Sequence, residues 1–140
     1  MKVSFLYFLS LLLLSSASAN SKMDTTDYWH VLYNKKDIAH FPEYGKRLLI
    51  NLDRADIKDG DRLSFVFGND TPCYDCVTGL FILGTNKKQI TLVKGKGTWH
   101  PLSVSLKDIL NQLKLLGQNY LDFNYYDGQR NRFVFKLKFK

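Results

Sequence analysis

The stretch YLDFNYYDGQRNRFVFKLKFK, residues 120–140, decides the fold class of this chain. Two sets of side chains alternate along its second half: Phe133, Phe135, Leu137 and Phe139 on one side, and Arg132, Val134, Lys136, Lys138 and Lys140 on the other. This period of two is typical of a β-strand with one buried face, and the lysine row is typical of an exposed edge or an open face. Asp127-Gly128 is a turn signal between the two halves. The stretch therefore predicts an antiparallel hairpin, with a loop of two residues or more.

The same alternation recurs upstream in 48–52 and 63–67, and turn residues separate the runs. Asn34 to Asp37 can close a hairpin between YWHVLY and IAHF. About eight short strands result, with no alternating strand–helix pattern. We expect a mainly β fold, an antiparallel β-sandwich, and the alternative is a distorted β-barrel.

One segment, SLKDILNQLKLLG at 105–117, departs from this rhythm. Its apolar residues recur at helical spacing: Leu106, Ile109, Leu110 and Leu113. Ser105 with Asp108 resembles a capping box, and Gly117 suits the position just after a helix. We predict one amphipathic helix before the last hairpin, closing one end or edge of the sheets.

Residues 1–19 have the pattern of a cleaved signal peptide. Lys2 precedes an apolar run that is too short to span a bilayer, and Ala17-Ser18-Ala19 forms a cleavage site. Residues 20–27 are polar and predict a flexible leader, and 28–140 then form a single domain. We expect an exported protein, periplasmic or extracellular, with no stable membrane insertion after cleavage.

The charge of the chain bears on its partners. The net charge is +7, and since Lys2 is the only charged residue of 1–19, the exported chain carries about +6. A basic surface raises the question of nucleic acid, but export makes that partner unsuitable. A protein of the envelope or the extracellular space, or an anionic glycan, suits this charge better.

The only two cysteines, Cys73 and Cys76, form a C-x-x-C motif within NDTPCYDCVTG, residues 69–79. Redox chemistry of the thioredoxin kind needs a helix N-terminus there, whereas β-favouring residues follow, and Asp75 disfavours a thiolate. Zinc needs more ligands than the scattered histidines at 30, 40 and 100 supply. An oxidising compartment favours a disulfide, although a thiol–disulfide activity stays open as an alternative.

No catalytic constellation accompanies these cysteines. The sequence has no G-x-S-x-G elbow, no phosphate loop and no dinucleotide fingerprint. We therefore expect no enzyme activity, no cofactor and no metal.

Candidate binding residues lie on two loops. A proline-stiffened turn presents two of them and the final hairpin presents the others: Tyr74 and Asp75, then Tyr125, Tyr126, Arg130 and Arg132. The sequence leaves open whether Trp29 and Trp99 are core or surface residues, and core packing is favoured for both. The resulting hypothesis is a non-enzymatic β-sandwich that binds a macromolecular partner, a protein, through rigid loops. A carbohydrate-binding module is the alternative.

Overall fold

The computed structural model describes residues 27–43, 48–84 and 87–140. The predicted signal peptide and the predicted leader up to residue 26 lie outside them. The elements are β1 (Tyr28–Tyr33), β2 (Lys36–Pro42), β3 (Leu48–Leu52), a short 3₁₀ turn (Arg54–Asp56), β4 (Arg62–Gly68), β5 (Val77–Leu83), β6 (Gln89–Lys96), β7 (Leu102–Ser105), α1 (Leu106–Leu116), β8 (Tyr120–Tyr126) and β9 (Asn131–Phe139).

The strands form two sheets, which confirms the predicted sandwich. The first has the order β2-β1-β4-β7 and the second the order β3-β9-β8-β5-β6. All pairs are antiparallel except β3 with β9, which run parallel. Within the described residues these sheets form no closed barrel. The strand beyond the expected eight is β7, whose four residues are too few for a clear alternation.

The first hairpin confirms the turn predicted after Tyr33. Asn34 and Lys35 both have positive φ angles, 49° and 71°, as a two-residue type I′ turn requires. The Asn34 amide donates to the carbonyl of Arg62 over 3.0 Å, which ties this turn to the start of β4.

Aromatic side chains hold the two sheets together. Phe65 of β4 stacks on Phe123 and Phe135 of the other sheet, with ring centroids 5.5 and 5.4 Å apart. Trp29 lies beside this cluster, stacked on Phe67 at 4.6 Å, and it is 1% exposed. The core expectation is therefore confirmed for Trp29.

A bulge breaks the predicted alternation of β9. Phe123 pairs with Phe135 while Asn124 pairs with Phe133, so Val134 is an extra residue in this strand. The side chains before the bulge therefore exchange faces with those after it. Arg132, opposite the buried Tyr125, turns towards the core, whereas Phe133 does not share the face of Phe135 as the alternation predicted.

β9 is an interior strand, because β3 covers one side of it and β8 the other. The lysine row therefore lies on the open outer face of a sheet, and the edge interpretation is wrong. Lys138 is exposed, and the Lys136 ammonium lies 3.8 Å from the centroid of the Tyr120 ring and 3.5 Å from an Asp122 carboxylate oxygen.

The helix forms where it was predicted. The Ser105 hydroxyl accepts from the Asp108 amide at its start, and Gly117 has the left-handed φ of 61° at its end. Its buried residues are Leu106, Ile109 and Leu113, which pack into the main core. Among the described residues no helix is long and apolar enough to cross a membrane.

The strand directions give the sandwich two distinct ends. The base is the end where the Asn34-Lys35 turn, Asp61 and α1 lie. The tip is the opposite end, where the loops 69–76, 97–100 and 127–130 follow β4, β6 and β8.

Candidate functional site

The tip is built around the disulfide loop. Cys73 and Cys76 are joined by a disulfide, with Cα atoms 5.8 Å apart. β5 begins at Val77, directly after the second cysteine, so a strand and not a helix follows the motif. The loop thus lacks the helix N-terminus that lowers a cysteine pKa in thioredoxin-like sites.

The loop 97–100 fixes the backbone of the disulfide loop from one side. The amides of Gly97 and Thr98 each donate over 2.8 Å, to the carbonyls of Cys76 and Cys73 respectively. Gly97 has a φ of +79°, and a Cβ there would lie 2.9 Å from the Tyr74 carbonyl oxygen. Only glycine fits this approach without a shift of the backbone.

Asn69 connects the start of the disulfide loop to loop 97–100. Its side-chain amide donates to the Thr71 carbonyl over 2.8 Å, and its Oδ1 accepts from the Thr98 hydroxyl over 3.1 Å. The Trp99 indole nitrogen donates to the Asn69 carbonyl over 3.0 Å. The indole is thereby anchored by its polar edge while Trp99 stays 53% exposed. The core expectation for Trp99 is wrong, because the ring lies on the loop and not between the sheets.

The β8–β9 loop packs on the disulfide from the other side. The amides of Gln129 and Arg130 both donate to Asp127 Oδ1 over 3.1 Å, which makes a tight four-residue loop. A Cβ added at Gly128 would lie 3.1 Å from the Cβ of Cys76. The two loops that the sequence singled out separately therefore form one surface.

Beneath these loops lies a charge cluster centred on Arg132. One guanidinium nitrogen donates to Glu43 Oε1 over 2.8 Å, another pairs with Asp127, and the guanidinium carbon lies 4.6 Å from the Phe67 ring centroid. The Arg132 side chain is 10% exposed and that of Glu43 is 7% exposed. The bulge in β9 makes this possible, because it turns Arg132 inwards.

The second feature of this cluster is the raised pKa of Glu43. Burial and a hydrogen bond with the Asp27 side chain raise the pKa of Glu43, although Arg132 and Arg130 act in the opposite direction. Its Oε2 finds no donor when both carboxyl groups are ionised. A protonated carboxyl can donate, so the neutral form of Glu43 suits this position, in the same direction as its raised pKa.

A polar cleft of about 290 Å³ opens between the tip loops and this cluster. Its lining residues are Asp27, Asn69, Thr71, Cys73, Thr98, Asp127, Gln129, Arg130 and Arg132. The Nε of Arg132, one of these lining residues, is buried without a hydrogen-bond partner. The lining offers amide, hydroxyl, carboxylate and guanidinium groups, so the cleft can hold a polar group through several hydrogen bonds.

The predicted binding residues differ in their exposure. Tyr74 is 75% exposed at the tip, and Asp75 beside it lies 2.7 Å from the Lys96 ammonium. Arg130 is exposed at the rim of the cleft, 3.9 Å from Glu43, and Tyr126 is half-buried.

Two of the predicted binding residues have little exposed surface. Tyr125 is 3% exposed and its ring contacts Trp29 and Phe67. Burial and the nearby Asp127 carboxylate raise its pKa far above the ordinary tyrosine range. Arg132 is enclosed by its acidic partners. Strand pairing turns both side chains inwards, so Tyr125 is not presented to a partner and Arg132 is reached only from the polar cleft that it lines.

Sequence reasoning missed four contributors to the tip: Asp27, Glu43, Thr98 and Trp99. The K-G-K-G-T-W run at 94–99 holds the signal that could have marked this loop, because two glycines next to an aromatic residue indicate a turn with a large side chain on it. No local signal marks Glu43, which lies 89 positions from its partner Arg132.

No family model, no curated protein and no solved structure matches this chain. Within 27–43, 48–84 and 87–140 no group of three or more His, Cys, Asp or Glu side chains is arranged to hold a metal ion. The description of the site therefore depends on its own geometry.

Proposed function

We propose that this chain is an exported, non-enzymatic β-sandwich that binds a protein of the cell envelope or the extracellular space through its tip. The observation that supports this most is the presentation of three apolar side chains around one rigid loop. Tyr74, Val77 and Trp99 are 75%, 57% and 53% exposed. Exposed aromatic side chains on a fixed backbone are typical of the residues that dominate protein interfaces.

The rigidity of the tip favours binding. The disulfide, the two backbone hydrogen bonds from loop 97–100 and the contact of Gly128 with Cys76 hold the loop in one conformation. A preshaped loop loses little conformational entropy on association, so more of its contact energy appears as affinity. Arg130 and the Lys96–Asp75 pair supply charges at the rim, where they influence orientation and association rate.

The test compares a tip variant with a matched surface variant in the native host. Tyr74→Ala with Asp75→Ala and Trp99→Ala changes the tip, and Leu115→Ala with Tyr120→Ala removes exposed side chains elsewhere, at 78% and 37% exposure. Covalent cross-linking in intact cells, followed by quantitative mass spectrometry, measures recovery of partners. We expect the parent and the surface variant to recover the same protein, and the tip variant to lose it at least about tenfold. Equal recovery by both variants, or nothing above background with the parent, would contradict the proposal.

A glycan is the second candidate, because the polar cleft lies beside the exposed ring of Trp99. Aromatic rings with adjacent hydrogen-bonding groups suit a sugar. Tryptophan fluorescence is specific here, since Trp29 is buried and Trp99 is exposed. Titration with neutral and anionic glycans should change the emission of the parent and not that of Trp99→Phe. An unchanged parent spectrum across both glycan classes would exclude this candidate.

A further inference from the structure

A histidine pair lies on the outer face of the four-stranded sheet, apart from the tip cleft. His30 of β1 is directly opposite His40 of β2. Their rings are nearly parallel, at 17°, with centroids 4.0 Å apart. The side chain of His30 is 31% exposed, and His40 is exposed, so solvent reaches both.

Asp37 fixes the proton on the first of these rings. Its Oδ2 lies 2.6 Å from His30 Nδ1. An ionised carboxylate can only accept, so Nδ1 carries the hydrogen and the neutral ring keeps a lone pair on Nε2. A bulge at Ile38 brings Asp37 to this position, because Val31 pairs with Ala39 while Leu32 pairs with Asp37.

A carboxylate bonded to the far nitrogen of an imidazole is the arrangement that orients histidine ligands in metal sites. It fixes the tautomer and raises the basicity of the free nitrogen. Tyr28 contacts both rings edge-on, at 5.2 Å from His30 and 5.3 Å from His40. Tyr28 is itself held in place over Gly68, where a Cβ would lie 2.2 Å from the tyrosine ring.

We propose that His30 and His40 form a two-histidine site for a divalent transition metal, with Asp37 as the positioning residue. Two imidazole nitrogens bound to one metal at about 2.0–2.1 Å are separated by roughly 3 Å. The rings are stacked face to face with centroids 4.0 Å apart, so the exposed His40 side chain must rotate to turn a ring nitrogen towards a metal bound at His30 Nε2. Water completes the coordination. Cu²⁺ binds more tightly than Zn²⁺, as nitrogen sites without imposed geometry follow the general order of divalent metals.

This site is independent of the proposed tip function, and its test uses the metals alone. Calorimetric titration of the whole exported chain with CuCl₂ and with ZnCl₂ in a non-coordinating buffer measures stoichiometry and affinity. We expect one equivalent of Cu²⁺ to bind more tightly than Zn²⁺. The double variant His30→Ala, His40→Ala should lose affinity at least about tenfold, and Asp37→Asn about tenfold, within the usual range for the partner of a metal-binding histidine.

His100→Ala is the matched control, because it removes the remaining histidine of the chain and keeps the pair. It should bind Cu²⁺ as the parent does. Circular dichroism without metal verifies that each variant folds. Excess Cu²⁺ should raise the thermal midpoint of the parent and of His100→Ala, and should leave that of the double variant unchanged. If the double variant does not fold, His40→Gln replaces it with the same expected loss. The proposal is overturned by a parent that shows no saturable Cu²⁺ binding, or by a pair variant that binds as tightly as the parent.

Discussion

Each end of this sandwich contains a carboxylate in a hydrogen-bond network, and the two networks shift the carboxylate pKa in opposite directions. At the base, Asp61 accepts from the Tyr33 hydroxyl, from Asn34 Nδ2 over 2.8 Å and from the Lys58 amide over 2.8 Å. These donors lower the pKa of Asp61, and the same contact raises the pKa of Tyr33 to about 12. At the tip, burial and a hydrogen bond with Asp27 raise the pKa of Glu43, and the Arg132 Nε is buried without a partner.

The two networks differ in how completely their buried polar groups are paired. The base network satisfies its carboxylate completely and connects the first hairpin to β4, which is what a structural network requires. The tip network leaves the Arg132 Nε unpaired, and Arg132 lines an open cleft of about 290 Å³. An unpaired buried group costs stability, so the tip network is the less complete of the two.

Arg132→Ala should have the largest effect on stability and would break the tip network at its centre. It leaves Glu43 and Asp127 buried without their cation, so we expect a loss of about 3–5 kcal/mol in the free energy of unfolding. Arg130→Ala is the control, because its side chain is 55% exposed and surface pairs contribute about 1 kcal/mol or less. Urea unfolding measures the free energy of unfolding of both variants. Similar losses in the two would show that the buried cluster contributes no more stability than an exposed ion pair.

The base depends on apolar packing, which Leu113→Ala tests. Leu113 is 2% exposed in the core stripe of α1, so its truncation should cost about 2–5 kcal/mol. Leu115→Ala on the same helix removes a side chain that is 78% exposed and should change stability by about 0.5 kcal/mol or less. Thermal and urea unfolding of the two variants give the comparison. A large effect of Leu115→Ala would mean that α1 buries its other face.

The smallest effects, and the sharpest test of the contrast, come from pH. The lowered pKa of Asp61 means that its contribution to stability is present above about pH 4, the unfolded value, and is lost as pH falls through the folded value. Asp61→Asn should therefore destabilise at neutral pH, and this deficit should shrink in acid.

Glu43 should behave in the opposite sense. Its pKa is raised, so its contribution is present below about pH 4.5 and is lost as pH rises through the folded value. Glu43→Gln keeps an acceptor for Arg132 and gains a donor for Asp27. It should be at least as stable as the parent at pH 7, with the difference vanishing in acid. Urea midpoints between about pH 3 and pH 8 measure both profiles, and parallel profiles for the two variants would refute the contrast.

Local features of this fold were predictable because they depend on residues a few positions apart. The alternation of apolar and polar residues indicates the strands β3, β4 and β9. The helix is indicated by its Ser105 cap, its apolar stripe and Gly117 at its end. The disulfide was predictable from composition, since Cys73 and Cys76 are the only two cysteines and the first residues of the chain predict export to an oxidising compartment.

The candidate site was predictable only in part. Tyr74 and Asp75 were assigned to an exposed loop and lie there. Trp99 was favoured for the core because its apolar area suggests burial, while the hydrogen bond to Asn69 that holds it outside depends on a contact 30 residues away. Tyr125 and Arg132 were assigned to the surface because they flank the loop of the last hairpin, whereas packing against the opposite sheet turned both side chains inwards.

The sequence by itself determined most of the strands, the turns and the helix, because backbone propensity and side-chain periodicity act over a few residues, and its only two cysteines indicated the disulfide. The tertiary structure decided the rest. It placed β9 inside its sheet, inserted a bulge at Val134 that turned Arg132 inwards, and brought the loops 69–76, 97–100 and 127–130 to one end. These features depend on which strands pair and in what register. That choice is made by packing between residues as far apart as Glu43 and Arg132, and no local pattern records it.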